Sequence, residues 1–407
     1  MPEKYKRIIK IIVIVCVLVL LFDIGYLIYI TYFKKTEKTY FDSINMVEIT
    51  NDGYIAVGSN NNNEKSYEKA KITQYDKDKN KVWEKLYNKG YNGSFFAVKK
   101  DEDEYIAVGS YESKKQETKE GTRSAIIVKY SNEGEIVGEK RFQVLGNSKF
   151  TNVYVENDGY VVVGQSIYEN MTLGLSEDGG AFIIKYDKEL NEVWRSNYGG
   201  SKSGIYNDVI RVGDYYYTVG KDATRVGIIS KYTLDGQRVA TTNYEYTDTL
   251  GFTSLVALND NIYTVGSKKV TEDKNDYDTD ALLVKYDLDC NYQNETTYKG
   301  KGMERFNKTI IDSNNDIVIA GQTGVYNKKK STKDVNVFSY DGIFAKYDDN
   351  LKKLELENYG NEMDDYFTDI KQDNDKYLIS GYSTYDSNSY LSKFITYSKS
   401  GKLIGDN

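Results

Sequence analysis

Hydrophobic and polar positions alternate along this chain in a unit that recurs seven times. Each unit carries a hydrophobic run that ends in glycine, and a Lys-Tyr-Asp sequence or a close variant follows downstream. The run-ending glycines are Gly58, Gly109, Gly164, Gly220, Gly266, Gly321 and Gly381. Units of about 45 to 60 residues fall in the range of propeller blades, so the sequence predicts one continuous repeated body.

The unit divides into four predicted strands. A large apolar residue stands 14 positions before the glycine in most units, as Phe150 does before Gly164, and it marks the innermost strand. The second strand, 160–164 in the third unit, is apolar at consecutive positions, which is typical of a strand buried on both faces. Segments 181–187 and 193–198 follow as the third and fourth strands. The predicted fold class is all-β, a seven-bladed β-propeller of four-stranded antiparallel blades.

The predicted propeller covers residues 44–407. Its blades fall at about 40–93, 94–147, 148–202, 203–250, 251–303, 304–363 and 364–407. The seventh unit ends in a short outer strand, and residues 36–40 are candidates to extend that strand and close the ring.

Two stretches resemble known propeller repeats. The stretch from Tyr186-Asp187 through Val193-Trp194 to Gly220 resembles the repeats of bacterial seven-bladed β-propellers. The segment from Tyr75-Asp76 to Val82-Trp83 is also similar to the quinoprotein-type propeller repeat. In other units the tryptophan slot is occupied by Gly138, Ala240, Asn294 and Glu355. The resemblance extends over nearly all of residues 40–407 and implies a fold, since propellers host unrelated functions. No organic cofactor is predicted.

The N-terminal region does not follow the repeat. Residues 8–33 are almost wholly apolar and long enough to cross a hydrocarbon core of about 30 Å as an α-helix. Large aromatic residues lead straight into Lys34-Lys35, whereas a cleaved signal peptide would end in small residues, so an uncleaved signal anchor is predicted. Basic residues before the span slightly outnumber those after it. This favours a single-pass protein of the cell membrane with a cytoplasmic tail at 1–7, a juxtamembrane linker at 34–43 and an extracytoplasmic propeller.

Asp23 is the one acidic residue in the predicted span. A charge near the bilayer centre costs at least about 2.5–3.5 kcal/mol on insertion scales. Two interpretations stay open. Asp23 makes a helix–helix contact in the membrane together with Gly25 and Tyr26, or it is protonated or reaches towards the outer surface.

Composition narrows the possible chemistry. The chain contains no histidine, which removes imidazole-based acid/base catalysis and imidazole metal ligands. Cys16 and Cys290 lie in the apolar N-terminal run and in the fifth unit, so a disulfide framework is not expected. Residues 1–39 carry seven basic and three acidic side chains, a formal charge of +4, which leaves −11 for residues 40–407. Such an acidic body argues against a nucleic-acid partner.

The loops between second and third strands are the candidate binding surface. Their span varies from 12 residues between Gly220 and Tyr232 to 26 between Gly321 and Tyr347. Variable loops on a rigid scaffold usually carry the binding function. Tyrosines on these loops that occupy no repeat slot are candidates to bind a ligand at a rim: Tyr111, Tyr168, Tyr382, Tyr385 and Tyr390.

The acidic loop 272–280 is the candidate metal site. Asp276, Asp278 and Asp280 could offer carboxylates to a hard cation such as Ca²⁺. The loop lacks the spacing and the glycine of an EF-hand, so a solvated run of charges is the competing interpretation.

The predicted function is a membrane-anchored, exported module that binds or scaffolds a protein or a cell-envelope polymer. The alternative is a glycan-active enzyme that uses paired carboxylates on the loop face, since such chemistry needs no histidine. Two carboxylates about 5–10 Å apart in a pocket would favour the enzyme. A shallow mouth rimmed by tyrosines would favour the binding module.

Overall fold

The computed structural model describes residues 41–61, 67–113, 123–142, 147–167, 180–198, 204–222, 226–244, 247–270, 278–300, 302–326, 338–360, 364–386 and 389–406. No helix within these ranges has the length and apolar character that crossing a bilayer requires. The span predicted at 8–33, including Asp23, lies outside them, as do the N-terminal tail and most of the predicted linker.

Seven antiparallel sheets of four strands each make up the fold, and every sheet follows chain order. The first four blades are β1 (Asp42–Thr50), β2 (Gly53–Asn60), β3 (Lys69–Asp76) and β4 (Lys81–Leu86); β5 (Tyr91–Asp101), β6 (Glu104–Glu112), β7 (Arg123–Ser131) and β8 (Ile136–Phe142); β9 (Asn147–Glu156), β10 (Gly159–Ile167), β11 (Gly180–Asp187) and β12 (Glu192–Tyr198); β13 (Ile205–Val212), β14 (Tyr215–Lys221), β15 (Gly227–Thr233) and β16 (Arg238–Tyr244).

The remaining three blades are β17 (Thr247–Leu258), β18 (Asn261–Lys269), β19 (Thr279–Asp287) and β20 (Tyr292–Tyr298); β21 (Arg305–Ile311), β22 (Ile317–Tyr326), β23 (Phe338–Tyr347) and β24 (Lys353–Tyr359); β25 (Asp365–Asp373), β26 (Lys376–Asp386), β27 (Ser389–Ser398) and β28 (Leu403–Asp406). The first strand of each blade contacts the first strands of both neighbouring blades, so these strands form a closed inner ring. The predicted seven-bladed, four-stranded propeller is confirmed.

The repeated glycine lies where each inner strand bulges. Gly164 of β10 pairs with Phe150 of β9, and the register shifts between Val163 and Gly164. A β-carbon on Gly164 would collide with the carbonyl oxygen of Lys149, and each of the other six glycines faces the equivalent inner-strand carbonyl. The glycine is therefore required by the close approach of two backbones.

A ring of side-chain hydrogen bonds joins the inner strands. The residue after the large apolar one donates to the backbone carbonyl of the equivalent apolar residue in the next blade, at 2.5–2.8 Å. The six donors are Asn45, Thr151, Asn207, Thr253, Asn307 and Thr368. Blade 2 has Phe96 at this position. Thr368 donates to the carbonyl of Ile44 and thereby joins the last blade to the first.

The seventh blade is built from the C-terminal segment. Its outer strand, β28, pairs with Ile395, Thr396 and Tyr397 of β27. Farther along β27, Phe41 forms a parallel bridge with Tyr390. The ring therefore closes by packing and hydrogen bonds between blades 7 and 1. The candidate closing segment 36–40 lies outside the described residues.

Three lysines of the inner strands, Lys99, Lys308 and Lys371, are paired with carboxylates inside the ring. The Glu48 carboxylate lies 3.3 Å from the Lys99 ammonium and 3.5 Å from that of Lys371. Burial acts to raise the pKa of Glu48, but the two lysines outweigh it and hold this pKa below its ordinary value. Lys308 and Asp208 form a second pair at 2.7 Å. Buried charges in proteins are normally compensated in this way.

The tryptophan slot on the fourth strand faces the turn between the third and fourth strands of the next blade. A β-carbon on Gly236 would lie 2.5 Å from the Trp194 ring, and Trp83 and Glu355 stand in the same way against Gly134 and Gly401. In three other blades a smaller residue fills the slot and a larger one stands at the facing turn: Gly138, Ala240 and Asn294 are followed by Leu190, Cys290 and Leu351. The slot is thus a packing position.

Candidate functional site

A pocket of about 530 Å³ opens where blades 7, 1 and 2 meet. It lies at the starts of β1 and β5 and at the ends of β2 and β26, on the face that carries the second-to-third loops. This is the face that the sequence predicts to bind. Four aromatic side chains contribute to its lining: Phe41, Phe96, Tyr382 and Tyr390.

The aromatic side chains at the blade 7 end of the pocket belong to a longer series. Ring centroids are 5.1 Å apart for Tyr340 and Tyr366, 4.9 Å for Tyr366 and Tyr382, 5.4 Å for Tyr382 and Tyr390, and 5.2 Å for Tyr390 and Phe41. All five are partly exposed. We call them the aromatic row. It runs from blade 6 across blade 7 to the start of blade 1, which gives an extended contact surface.

Three phenols of the aromatic row, those of Tyr340, Tyr366 and Tyr382, have raised pKa values and are uncharged in neutral solution. Burial, together with Tyr390 and Glu68, raises the pKa of Tyr382 to about 12. Burial also raises the pKa of Tyr340 above its ordinary value. Neutral aromatic rings that keep a polar tip suit contacts with ligands that are apolar on one side and hydrated on the other.

Two basic side chains stand at the blade 2 side of the pocket, Arg123 in its lining and Lys149 beside the lining residue Phe96. Arg123 lines it and pairs with Glu112 at 3.1 Å, and Glu112 also accepts a hydrogen bond from Asn92 at 2.8 Å. The Lys149 ammonium lies 5.6 Å from the ring centroid of Phe96. Burial and the nearby Arg123 and Lys221 cations lower the pKa of Lys149 to about 8.

Two carboxylates line the pocket, Asp42 and Glu68. Asp42 is buried; one of its oxygens pairs with Lys71, and the other accepts a hydrogen bond from Ser392 at 2.7 Å. Glu68 accepts a hydrogen bond from the Ser59 hydroxyl at 2.8 Å. Both oxygens of Asp42 are engaged within the fold, and its bond to Ser392 joins blade 1 to blade 7. The two carboxylates Asp42 and Glu68 are therefore better suited to a structural role than to glycan hydrolysis.

The predicted rim tyrosines have different outcomes. Tyr382 and Tyr390 line the pocket together. Tyr111 does not line a rim: it is 6% exposed and packs edge-on against Tyr87 at 5.4 Å. The reason is that β6 continues past Gly109 to Glu112, so Tyr111 lies within the strand. Tyr385 falls in β26, but its side chain and all of Tyr168 lie outside the described residues.

The candidate calcium ligands are incompletely described. Asp276 lies outside the described residues, and Asp278 and Asp280 stand at the start of β19. Asp280 is buried, with the Lys299 ammonium 3.8 Å away, and burial raises its pKa despite that lysine. No cluster of three metal-binding side chains occurs in the described part of the chain. The calcium site stays a prediction.

A second pocket, of about 680 Å³, lies on the opposite face between blades 1 and 7. Turn residues line it, and they bond across the seam. Tyr54 donates to Asp373 at 2.7 Å, and Lys79 donates to Thr396 at 2.7 Å. These groups are used in holding the two blades together, so the aromatic pocket is the better candidate site.

Several residues of the site escaped prediction from the sequence. Phe41, Tyr340 and Tyr366 lie in or beside strands, where tyrosines are read as core. Lys149 and Phe96 could have been found by comparing equivalent positions of the seven units. Phe96 replaces an Asn or Thr of the hydrogen-bonded ring, and Lys149 stands where blades 1 and 2 carry serine.

No protein-family model matches the chain, and no curated protein matches it either. Solved propellers resemble it at 11% sequence identity. The match with the WD40 domain of Doa1 covers 88% of this chain and 95% of that chain, with a TM-score of 0.50. The match with Sqt1 of Chaetomium thermophilum, solved bound to the N-terminus of ribosomal protein L10, covers 90% of this chain and 89% of that chain, with a TM-score of 0.50. The match with a 6-phosphogluconolactonase-like protein of Bacteroides uniformis covers 87% of this chain and 94% of that chain, with a TM-score of 0.51. At this identity the likeness shows the seven-bladed propeller fold alone.

Proposed function

We propose that this chain is a membrane-anchored, exported propeller that binds a polymer or protein of the cell envelope through the aromatic row. The observation that carries the proposal is the series of five partly exposed aromatic rings that leads into the pocket. An extended row suits a linear ligand better than a compact one, because successive rings can contact successive units of a chain.

The fold is compatible with this role, since propellers commonly present loops and strand ends to a partner. Sqt1 was solved with a protein segment bound, which gives a precedent for the protein alternative in a chain of the same fold. The engaged carboxylate of Asp42 favours binding over the glycan-active alternative.

The binding test uses the full chain in detergent micelles and isolated cell envelopes, before and after protease treatment of the envelopes. We expect Tyr390→Ala to weaken binding about tenfold, because one aromatic contact contributes about 0.5–1.5 kcal/mol beyond its buried area. Tyr292→Ala is the matched control, since Tyr292 is 49% exposed on the outer strand β20. Equal binding by both variants would exclude the aromatic row as the contact surface.

Protease treatment separates the two ligand classes, because a protein partner would be lost and a polymer would survive. Export is tested separately by adding protease to intact cells. Digestion of the propeller from outside is expected, and protection until the cells are opened would overturn the proposed topology.

A further inference from the structure

One departure from the repeated pattern, Phe96, lies at the blade 2 side of the pocket, and Lys149 stands beside it. Phe96 takes the position at which the other six blades carry the Asn or Thr of the hydrogen-bonded ring. Lys149, from the next inner strand, places its ammonium over the Phe96 ring. Positions where a protein breaks its own local rule are expected to be functional or strained.

The charge of Lys149 is not balanced within the fold. Lys99, Lys308 and Lys371 on the other inner strands each pair with a carboxylate, at 3.3, 2.7 and 3.5 Å. Lys149 forms no ion pair with any described residue, and its contact with the Phe96 ring is cation–π. The charged groups that act on it are the cations Arg123 and Lys221, of which Arg123 is itself paired with Glu112 at 3.1 Å. A partly buried ammonium beside two other cations is unfavourable unless an anion compensates it.

The rest of the pocket suits hydroxyl groups. Ser43, Ser59, Ser94 and Asn92 line it between the basic side chains and the aromatic row. The Ser59 hydroxyl donates to Glu68, so the Ser43 hydroxyl, 3.1 Å away, donates to Ser59, and ligand hydroxyls would donate to these serine oxygens. A sugar ring offers both an apolar face for aromatic contact and hydroxyls for such partners.

We propose that Lys149 and Arg123 bind the anionic group, carboxylate or phosphate, of an acidic polysaccharide whose chain continues along the aromatic row. This inference rests on the proposed function and narrows it to one class of ligand. An acidic protein would satisfy the two cations equally well, but it makes less use of the serine and asparagine lining. The polysaccharide is therefore the class that the pocket favours.

The test measures binding of four soluble polymers to the full chain in detergent micelles at pH 7 and low salt. Polygalacturonate carries carboxylates on sugar rings, phosphorylated dextran carries phosphates on sugar rings, unmodified dextran is neutral, and polyglutamate is an acidic peptide. We expect one of the first two to bind, and which of them does so identifies the anionic group. Lys149→Met should weaken that binding at least tenfold, and Lys149→Arg should restore most of it.

Lys89→Met is the matched control, because it removes the same charge from an exposed lysine, 58% accessible, that pairs with Glu139 on the outside of blades 1 and 2. It should leave the affinity unchanged. Thermal unfolding of each variant verifies that it is folded.

The outcomes separate this inference from the proposed function. If Tyr390→Ala weakens polymer binding and Lys149→Met does not, the aromatic row stands and the anion site is wrong. Binding of polyglutamate with the same dependence on Lys149, and no binding of either acidic polysaccharide, would overturn the choice of polysaccharide. If no polymer binds to the wild-type chain, the anionic polysaccharide is excluded. If a polymer binds and neither variant weakens its binding, both the aromatic row and the anion site fail.

Discussion

Replacing Lys149 by methionine is expected to stabilise the propeller at neutral pH. The substitution keeps a long flexible side chain of similar length and removes a cation that has no carboxylate partner among the described residues. The pKa of Lys149 is lowered from 10.5 to about 8 by burial and by the Arg123 and Lys221 cations. A lowered pKa in a base means that the folded state disfavours its charged form.

The size of the effect follows from this difference. At about 1.4 kcal/mol per pH unit, the drop from 10.5 to about 8 corresponds to at most about 3 kcal/mol. Lys149 is partly exposed, so solvent screening reduces the figure. Loss of the cation–π contact with Phe96 reduces the stabilisation by about another 0.5–1 kcal/mol. The expected net stabilisation of Lys149→Met at pH 7 is about 1 kcal/mol.

The dependence on pH has a definite sign. Below about pH 8 Lys149 is protonated in both states, and the folded state carries the full penalty. Between about pH 8 and 10.5 the folded state loses this proton while the unfolded state keeps it. The unfolded state then binds more protons, so this group makes the wild-type protein more stable as the pH rises. The advantage of Lys149→Met should therefore shrink over this interval and vanish above it.

Urea unfolding of the full chain in micelles, followed by tryptophan fluorescence at pH 7 and pH 9.5, measures both quantities. Lys308→Met is the contrasting control, because it removes the partner of Asp208 and should destabilise the fold by about 3–5 kcal/mol. A loss of stability for Lys149→Met at pH 7, or an equal effect at both pH values, would refute the reasoning.

Three further predictions concern the ring and the ligand. Gly381→Ala should lower the free energy of unfolding by about 1–3 kcal/mol because the added methyl group meets the Tyr366 carbonyl. Gly266→Ala should cost less, since the facing carbonyl oxygen is 2.7 Å away, and equal losses in thermal unfolding would contradict the steric account. Thr368→Val should cost about 1 kcal/mol by removing the hydrogen bond between blades 7 and 1, measured by urea unfolding, and no loss would show that this bond is dispensable. Binding of an acidic polymer should weaken above about pH 8 as Lys149 loses its proton, whereas Lys149→Arg should bind equally at pH 7 and 9.5; a flat wild-type profile in the binding titration would contradict a role for this ammonium.

The architecture was largely predictable from the sequence because every unit contains the same two features, a run-ending glycine and the apolar run before it. Each run-ending glycine permits an inner-strand bulge, and the apolar run before it forms a strand buried on both faces. Strand ends were less predictable. The extension of β6 beyond Gly109 depends on pairing between Tyr111 and Ser124, a contact between residues distant in sequence, and it moves Tyr111 from the predicted rim into the core.

The site was predictable in part. Tyr382 and Tyr390 stand out because no repeat slot explains them, and they meet in the pocket. Tyr340 and Tyr366 join them through the arrangement of blades 6 and 7, which no local pattern encodes. The two basic side chains meet in the same way, because Arg123 and Lys149 belong to different blades and are brought together by the ring.

The matching of large and small residues between the tryptophan slot of one blade and the turn of the next limits how blades can be duplicated. Trp194 fits the next blade because that blade turns at Gly236, whereas its own blade turns at Leu190. A tandem duplication of blade 3 would place the indole against a leucine at a left-handed turn, and the two side chains would compete for one space. A copied blade is therefore expected to destabilise the ring unless the residue at its turn changes as well, whereas changes in the loops leave this packing intact.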